Sequence, residues 1–523
     1  MATETRSGKN QFVECQPIDA IMAIDRLARS DPERVALRVG ADELTYKALR
    51  SRSDALAKTL RERGAQGAVV GYWGERDLDW ATAVVAILKA ASTYLPLDPS
   101  LPASRASFMI EQSRCALIIG PHQLDSLGLF QANSKRATQF IPMEAALRQG
   151  QTSSVVPSSS ENGPAYILFT SGSTGQPKGA MIERAALNNH LAAKIDALAL
   201  AQTDCIAQTA SHCFDISLWQ LLAGLCVGGC VAIIDDTTLK SPVTLLKAIQ
   251  GYGVTVVQFV PSMLAVFVDY LQSLAVVERA LDSLRIISTV GEPLTPRLAR
   301  AWLALYPGVP ILNHYGPTEC ADGVTHHLVS VPPGLADSYV PIGEPISNLE
   351  VYVADGPRLC NTGGVGEICV SGVGVATGYV NDDVRTKDAF GPNPFSSELS
   401  FQRLYRTGDL GRVRSDGLLE CLGRRDRQVK IRGHRIELGE IEARLSAHHL
   451  VRGAVVVASC AGVKLTARDI TRAGGGGKVD RDASSRMCQL RLSWRKASFR
   501  TFLPKRFPPT CFQNGSSTSA VFH

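Results

Sequence analysis

No two of the thirteen cysteines stand in a Cys-x-x-Cys pair, and none falls at a His/Cys metal-ligand spacing. Nothing here reads as a disulfide scaffold or a zinc site, and the cysteines read as reduced residues of an intracellular, cytoplasmic protein. Long hydrophobic runs are missing too. The most apolar stretch, LWQLLAGLCVGGCVAII from Leu218 to Ile234, is short for a membrane span, carries Gln220 and is broken by glycines. It reads as a buried helix running into a strand, and no membrane partner is expected. The first sixteen residues hold no apolar core, so no signal peptide is expected.

An excess of positive charge is absent where a nucleic-acid surface would need it. The net charge of +6 is concentrated at one end: residues 463–523 carry 12 Lys or Arg against 3 Asp or Glu. The remaining 462 residues carry 43 basic and 46 acidic groups. A slightly acidic body argues against nucleic acid as a partner. The basicity belongs to the tail, where ITRAGGGGKVDRDASSRMCQL and the residues after it show no sustained period of either kind. That tail reads as disordered, or as translated from a shifted frame or an unspliced segment.

What is present begins at Phe169. The stretch FTSGSTGQPKG, to Gly179, follows the apolar run AYIL and packs glycines, hydroxyls and one lysine into eleven residues. Such a loop offers backbone N–H groups, hydroxyls and a positive charge to a compact anion, best a phosphate. It is not a Walker A loop, because Lys178 is preceded by Pro177 and followed by Gly179. Strand, glycine turn and then the helix RAALNNHLAAKI put the loop at the carboxyl end of a strand, where open α/β sheets bind ligands. Helical and strand patterns alternate on either side, as in ERVALRV, GAVVGYWG, WATAVVAILKAAS and CALIIG, then VTVVQFV and SLRIISTV. From Glu350 the pattern changes to short alternating strands with Gly-Asp turns, a small β-rich subdomain.

Further motifs follow in fixed order: LTYKAL from Leu44, LKAASTYLPLD from Leu88, NHYGPTE from Asn313 to Glu319, GEICVSGVGVATGY from Gly366, YRTGDL from Tyr405 to Leu410, and GRRDRQVKIRGHRIELGEIE from Gly423 to Glu442. Over residues 18–460 this series resembles the adenylate-forming superfamily, and within it the adenylation domains of nonribosomal peptide synthetases. The resemblance implies an α/β fold: a large N-terminal domain of two stacked αβα-type sheets plus the β-rich subdomain, then an incomplete small α+β C-terminal lid domain. It divides the chain into a tail (1–17), an adenylation core (18–425), the start of a lid (426–462) and the aperiodic basic tail (463–523). It implies a ligase of secondary metabolism that joins an amino-acid carboxylate to AMP, using ATP and Mg²⁺. Alternatives are an acyl- or aryl-CoA ligase and, from another class, a catalytically weak nucleotide-binding remnant.

Carried over position by position, the resemblance assigns Thr170, Ser171, Gly172, Ser173, Thr174, Gly175 and Lys178 to the phosphates of ATP. Gly291, Glu292, Asn313, Tyr315 and Gly316 would also bind ATP, with Tyr315 as a face for the adenine and Asn313 as its amide edge. Thr318 would reach the α-phosphate, Glu319 the Mg²⁺, and Asp409 and Arg424 the ribose. Asp426 would be the hinge of the lid. Singly, Asp409 is equally a turn residue, Tyr315 a core aromatic and Arg424 a surface charge. Asp215, in HCFDISLW, would pair with the substrate's α-ammonium, although it could equally cap the helix that follows. The side-chain pocket would be Ile216, Trp219, Gln258, Ser288, Val290, His314, Asp322 and Gly323. Four polar groups there favour a polar side chain with a hydroxyl, amide or amine, and Asp322 keeps a basic one open.

The chain departs from the family near its end. The family's second lysine lies in a GKxDR-like motif, and Lys478 in GGGGKVDR arrives too soon after the hinge for a full lid domain. Its catalytic role is therefore in doubt, and losing one such donor costs roughly 10²–10³ in rate. No Gly-Gly-x-Ser phosphopantetheine segment is present, so a carrier-protein thiol acceptor is expected on another chain.

Overall fold

Two helices of this chain have almost no solvent-facing side. Leu78–Lys89 is buried continuously from Trp80 to Lys89, and Ile216–Val227 from Ser217 to Cys226. Helices of that kind need cover all round, and two sheets supply it. The computed structural model describes residues 18–121, 138–150, 163–172, 176–431, 434–446, 455–459, 464–468, 490–491 and 520–521. One sheet has seven strands, in the order Gly378–Tyr379, Lys178–Glu183, Pro164–Thr170, Thr93–Leu97, Val69–Trp73, Leu117–Gly120 and Gln139–Pro142. The other has nine, in the order Glu344–Pro345, Thr325–Val329, Ile311–Tyr315, Ile286–Thr289, Val256–Phe259, Cys205–Gln208, Cys230–Ile233, Val35–Val39 and Asp42–Thr45. The inner strands of both sheets run parallel; antiparallel pairs close both ends of the nine-stranded sheet and one end of the seven-stranded sheet, whose other edge strand, Gln139–Pro142, is parallel.

Strand alternation sorts the side chains into three layers. Val70, Tyr72, Leu117 and Leu168 of the first sheet share one core with Ile206, Val231, Val256 and Leu312 of the second, with Trp80 and Trp219 between them. Their neighbours in sequence pack outward: Leu95, Ile118 and Ile167 on one side, Ala207, Val257, Phe259 and Ile311 on the other. The apolar stretch from Leu218 divides as expected. The helix stops at Gly228, whose φ of 85° suits glycine, and the strand begins at Cys230.

The β-rich subdomain is a six-stranded sheet around Leu349–Asp355, Gly366–Gly372 and Arg403–Val413, with Leu419–Arg424 paired to the last of these. Beyond it come a hairpin (Val429–Ile431 with His434–Ile436), the helix Leu438–Ser446 and the antiparallel pair Val455–Ser459 and Lys464–Arg468. Ile436, Leu438 and Val456 form a small core of their own. Lys478, most of the basic tail and residues 1–17 lie outside the described residues.

One charge is locked into the helical layer. Lys89 is 1% exposed, and its Nζ lies 2.5 Å from Asp25 Oδ1 and 2.7 Å from Asp54 Oδ1, joining the helices Ala20–Ser30, Tyr46–Glu62 and Leu78–Lys89. Removing the cation leaves two carboxylates facing each other inside the layer. Lys89→Met is expected to destabilise the fold by about 3 kcal/mol, read as a lower midpoint in urea. An unchanged midpoint would show that the ion triad contributes nothing net.

Candidate active site

The glycine-serine loop joins two antiparallel strands, Pro164–Thr170 and Lys178–Glu183, with Thr170 opposite Lys178. Gly172 is required by crowding, because a Cβ there would lie 2.1 Å from the Gln176 carbonyl oxygen. Ser173, Thr174 and Gly175 lie outside the described residues. The Thr170 hydroxyl is sealed from solvent with no partner among the described residues, and Ser171 Oγ donates to the Arg435 carbonyl at 2.6 Å.

Lys178 points from this loop at Glu319. Its Nζ is 3.0 Å from Glu319 Oε1, and Tyr379 OH donates to the same oxygen at 2.8 Å. Arg435 Nη1 binds the other oxygen at 2.8 Å. Glu319 is fully buried in the short 3-10 turn Thr318–Cys320, just past the strand Ile311–Tyr315. Burial pushes its carboxyl up, but Arg435 and Lys178 outweigh that and hold it far below the usual carboxylate range. Burial draws the Lys178 ammonium down, and Glu319 offsets part of the effect. The result is a permanently ionised carboxylate beside the loop's only cation, in a position to share phosphate oxygens or a hard metal ion.

A second chain of polar groups lies close by. Tyr315 OH donates to Asp409 Oδ2 at 2.6 Å, Arg424 Nη1 to Asp409 Oδ1 at 2.9 Å, and Arg424 grips Asp426 through Nε at 2.9 Å and Nη2 at 2.6 Å. The Thr-Gly-Asp turn is fixed by Gly408 at φ 74° and by Thr407 Oγ1, which accepts from the Asp409 N–H at 2.9 Å. Asp409, Arg424 and Asp426, scattered in sequence, thus become one network with Tyr315. Asn313 lies on the strand face opposite His314, its amide engaged with Thr289 Oγ1 at 3.1 Å and the Pro341 carbonyl at 2.8 Å. Glu292 accepts from the Ser262 N–H at 3.0 Å, at the start of helix Pro261–Gln272. Gly291 takes φ 86°, and a Cβ on Gly316 would meet the Asp322 carbonyl at 1.6 Å.

The third cluster is built from strand ends and two buried helices. Gln258 and Ser288 are direct partners on parallel strands, and His314 projects from the same face of the next strand. Ser288 Oγ and His314 Nδ1 are 3.1 Å apart. Trp219, Val290 and Asp322 are buried and Ile216 is half-buried, while Gly323 has no room for a Cβ because the His190 ring lies 2.7 Å away. Asp215 caps its helix, as one of its two sequence readings has it. It starts the helix Ile216–Val227 and accepts from the Ile216 N–H at 2.9 Å, yet stands in the same buried space as Asp322 with Thr318 against it. Burial, and then Asp322, push its carboxyl up to about 7.

Residues missed from sequence complete the picture. His190 and Lys194, one turn apart on the helix Arg184–Ala197, face this cluster: His190 Nε2 is 3.1 Å from Asp322 Oδ2, and Lys194 Nζ lies 5.0 Å over the Trp219 ring. His326 stacks edge-on against His314. The i, i+4 spacing of His190 and Lys194 in RAALNNHLAAKI was a signal that two polar groups share one face. Tyr379 and Arg435 lie inside motifs already quoted, but nothing in those motifs says that they meet Glu319.

The family model of AMP-binding enzymes matches residues 24–380. A linear gramicidin synthase of Brevibacillus parabrevis is 38% identical over 434 residues, 82% of this chain and 8% of that protein. Zwittermicin A synthase ZmaJ of Bacillus cereus is 36% identical over 433 residues, 82% of this chain and 80% of that protein. Among solved structures, an artificially fused adenylation–PCP di-domain, NpsA-ThdA from Klebsiella oxytoca, superposes with a TM-score of 0.75 at 25% identity, covering 86% of this chain and 88% of that one. The nonribosomal peptide synthetase FmoA3 in its AMPPNP-bound form gives 0.71 at 26% identity, covering 80% and 44%. This chain thus spans less than a tenth of the gramicidin synthase, and most of ZmaJ.

The raised Asp215 carboxyl has a consequence for stability. A folded-state value above the ordinary one of 3.8 favours the neutral acid in the fold, so stability present at low pH is lost as pH rises through about 7. Asp215→Asn keeps a side-chain oxygen for the Ile216 N–H and removes the charge. The variant is expected to match the parent in thermal stability near pH 3 and to exceed it by up to about 4 kcal/mol at pH 8, with the gap opening between pH 4 and 7. Parallel curves at both pH values would contradict the assignment.

Proposed function

Because this chain belongs to the AMP-binding enzyme family, we propose that it is an adenylate-forming ligase that activates an α-amino acid for peptide-type assembly. The single observation that carries the amino-acid reading is Asp215: a buried carboxylate, raised towards neutrality and set beside a second carboxylate, Asp322. Such a group is held at a cost unless a cation arrives to share it. The α-ammonium of an amino acid is that cation. Acids without an amino group leave it uncompensated, which argues against the acyl- or aryl-CoA ligase alternative.

With the ammonium on Asp215, the substrate carboxylate is held near Thr318, whose hydroxyl serves both Asp215 and the α-phosphate. The carboxylate oxygen forms a bond to the α-phosphorus of ATP as the bond to the bridging oxygen breaks, and pyrophosphate leaves with the electron pair. Lys178, with Thr170, Ser171 and the loop's backbone, neutralises the charge on the leaving phosphates. Tyr315, Gly316 and Gly291 border the adenine, and Asp409, fixed by Tyr315 and Arg424, accepts from the ribose hydroxyls. Glu319 fits Mg²⁺: it is ionised, buried and adjacent to the phosphate lysine, and one carboxylate plus phosphate oxygens is an ordinary magnesium shell. Bound there, the ion would screen the triphosphate; Arg435 has to yield its oxygen first.

Asp426, gripping Arg424 where the subdomain ends, is the hinge about which the segment from 426 onward turns. The core runs from 18 to 425 and the lid begins at 426. The aminoacyl group then passes to a carrier-protein thiol outside this chain. Among the described residues no helix is long and apolar enough to cross a membrane, which suits a cytoplasmic enzyme.

The test is acid-dependent exchange of pyrophosphate into ATP, with Mg²⁺, across amino acids and a few aryl and fatty acids. One amino acid is expected to support exchange, and Asp215→Ala to lower it at least a hundredfold with KM for ATP little changed. Exchange only with acids lacking an amino group would overturn the amino-acid reading in favour of an acyl- or aryl-CoA ligase. Saturable ATP binding with no exchange for any acid would make the chain a binding remnant.

A further inference from the structure

Lys194 is the most exceptional charge in the molecule. It is wholly buried, and its ammonium has no hydrogen-bond partner among the described residues. Its surroundings are the Trp219 ring at 5.0 Å and the charge of Asp322. A lysine placed in this way costs stability unless something completes its hydrogen bonds. The groups beside it are incomplete in the same sense. Trp219 Nε1, His314 Nε2, His326 Nε2 and Gln258 Oε1 are all sealed from solvent without a partner among the described residues. These atoms come from four separate elements and converge where the substrate side chain would lie.

We propose that Lys194 is a specificity-determining residue of this pocket, donating to an oxygen acceptor on a neutral substrate side chain, a hydroxyl or an amide. The proposal rests on the amino-acid reading above and narrows it.

Charge balance excludes the alternatives. Lys194 and Asp322 offset each other, and Asp215 is offset by the α-ammonium. His190, His314 and His326 are kept neutral, burial first and the neighbouring lysine second disfavouring the imidazolium of His314 and His326. In His190 burial likewise prevails, over the pull of Asp322. A substrate carboxylate or ammonium would then bring a third, uncompensated charge into a space lined by buried residues. Asp322 alone kept a basic side chain open at the sequence level; Lys194 already fills that role.

Hydrogen-bond capacity points the same way. Lysine and the indole N–H are donors only, so they require an oxygen, and Gln258 Oε1 can accept the O–H or N–H that a hydroxyl or amide also carries. A purely aliphatic side chain would leave all of these groups dry and unpaired.

The experiment uses the full chain with two readouts, pyrophosphate exchange and calorimetric amino-acid binding, on wild type, Lys194→Met and Lys194→Gln. Wild type is expected to select among Ser, Thr, Asn and Gln, the hydroxyl and amide arms being read separately, over the isosteres Val and Leu and over Lys and Asp. Lys194→Met should raise KM and Kd for the selected amino acid about ten- to hundredfold, leave KM for ATP unchanged and improve the aliphatic isostere. Lys194→Gln should restore part of the preference. A cooperative thermal transition in Lys194→Met and Lys194→Gln shows that the variants fold.

Wild-type selection of an aliphatic, acidic or basic amino acid would overturn the proposal. So would an unchanged preference in Lys194→Met, or an equal loss towards ATP and every amino acid. Those results would leave the amino-acid reading standing. Binding and exchange with no amino acid at all would overturn both.

Discussion

A single carboxylate, Glu319, ties the site together. It lies on a turn at the end of one sheet, and its partners come from two other places: Lys178 and Tyr379 from neighbouring strands of the other sheet, and Arg435 from the hairpin beyond the β-rich subdomain. Two cations against one fully buried anion is a strong arrangement, because both oxygens are saturated and the charge is overcompensated rather than exposed. The excess positive charge is useful only if another anion enters. A triphosphate would be such an anion. The closure of the two sheets and the docking of residues 434–436 on the core are therefore held partly by this one carboxylate.

The amino-acid end shows the opposite imbalance. Asp215, Asp322, His190, His314 and Lys194 crowd into a space where each would be more stable as an apolar residue. Burial moves Asp215 up to about 7 and Lys194 down to about 7, so both sit at the edge of losing their charge. Local energetic conflict of this kind is expected where binding has displaced stability as the constraint. Elsewhere buried charge is resolved within the protein: Lys89 meets Asp25 and Asp54, and Asp204 meets Arg285 at 2.8 Å. The contrast is what makes the unresolved cluster informative.

Much of this was legible in the sequence, for reasons that are physical. The glycine-serine loop, the Thr-Gly-Asp turn and the apolar stretch from Leu218 depend on local geometry, so their meaning survives without a fold. The alternation of strand and helix gave the α/β class, and the change after Glu350 gave the subdomain. Which sheet each strand joins was not legible: Val35–Val39 pairs with Cys230–Ile233, nearly two hundred residues away. The same limit hid the roles of Tyr379, Arg435, His190 and Lys194, each of which matters only through a partner distant in sequence. Asn313 shows the same limit: period-two alternation places it on the face opposite His314, but only the paired strands show that its amide meets Thr289 and Pro341.

Asp215 shows why two readings of one residue need not compete. An aspartate at the start of a buried helix is favoured there by the unpaired N–H groups, and it does accept from the Ile216 N–H. That hydrogen bond and the one from Thr318 both favour the ionised form, yet burial and Asp322 prevail and the carboxyl remains raised. The cap thus fixes where the carboxylate points without satisfying its charge. A side chain positioned by its own helix loses little freedom when a ligand arrives, so the ammonium meets a group already oriented. The same logic extends across the pocket: Asp322 is pinned by its backbone packed against Gly316, and Lys194 by a helix whose adjoining residues Ala192 and Ala193 are buried with it. The protein holds these charges still and leaves their balance incomplete.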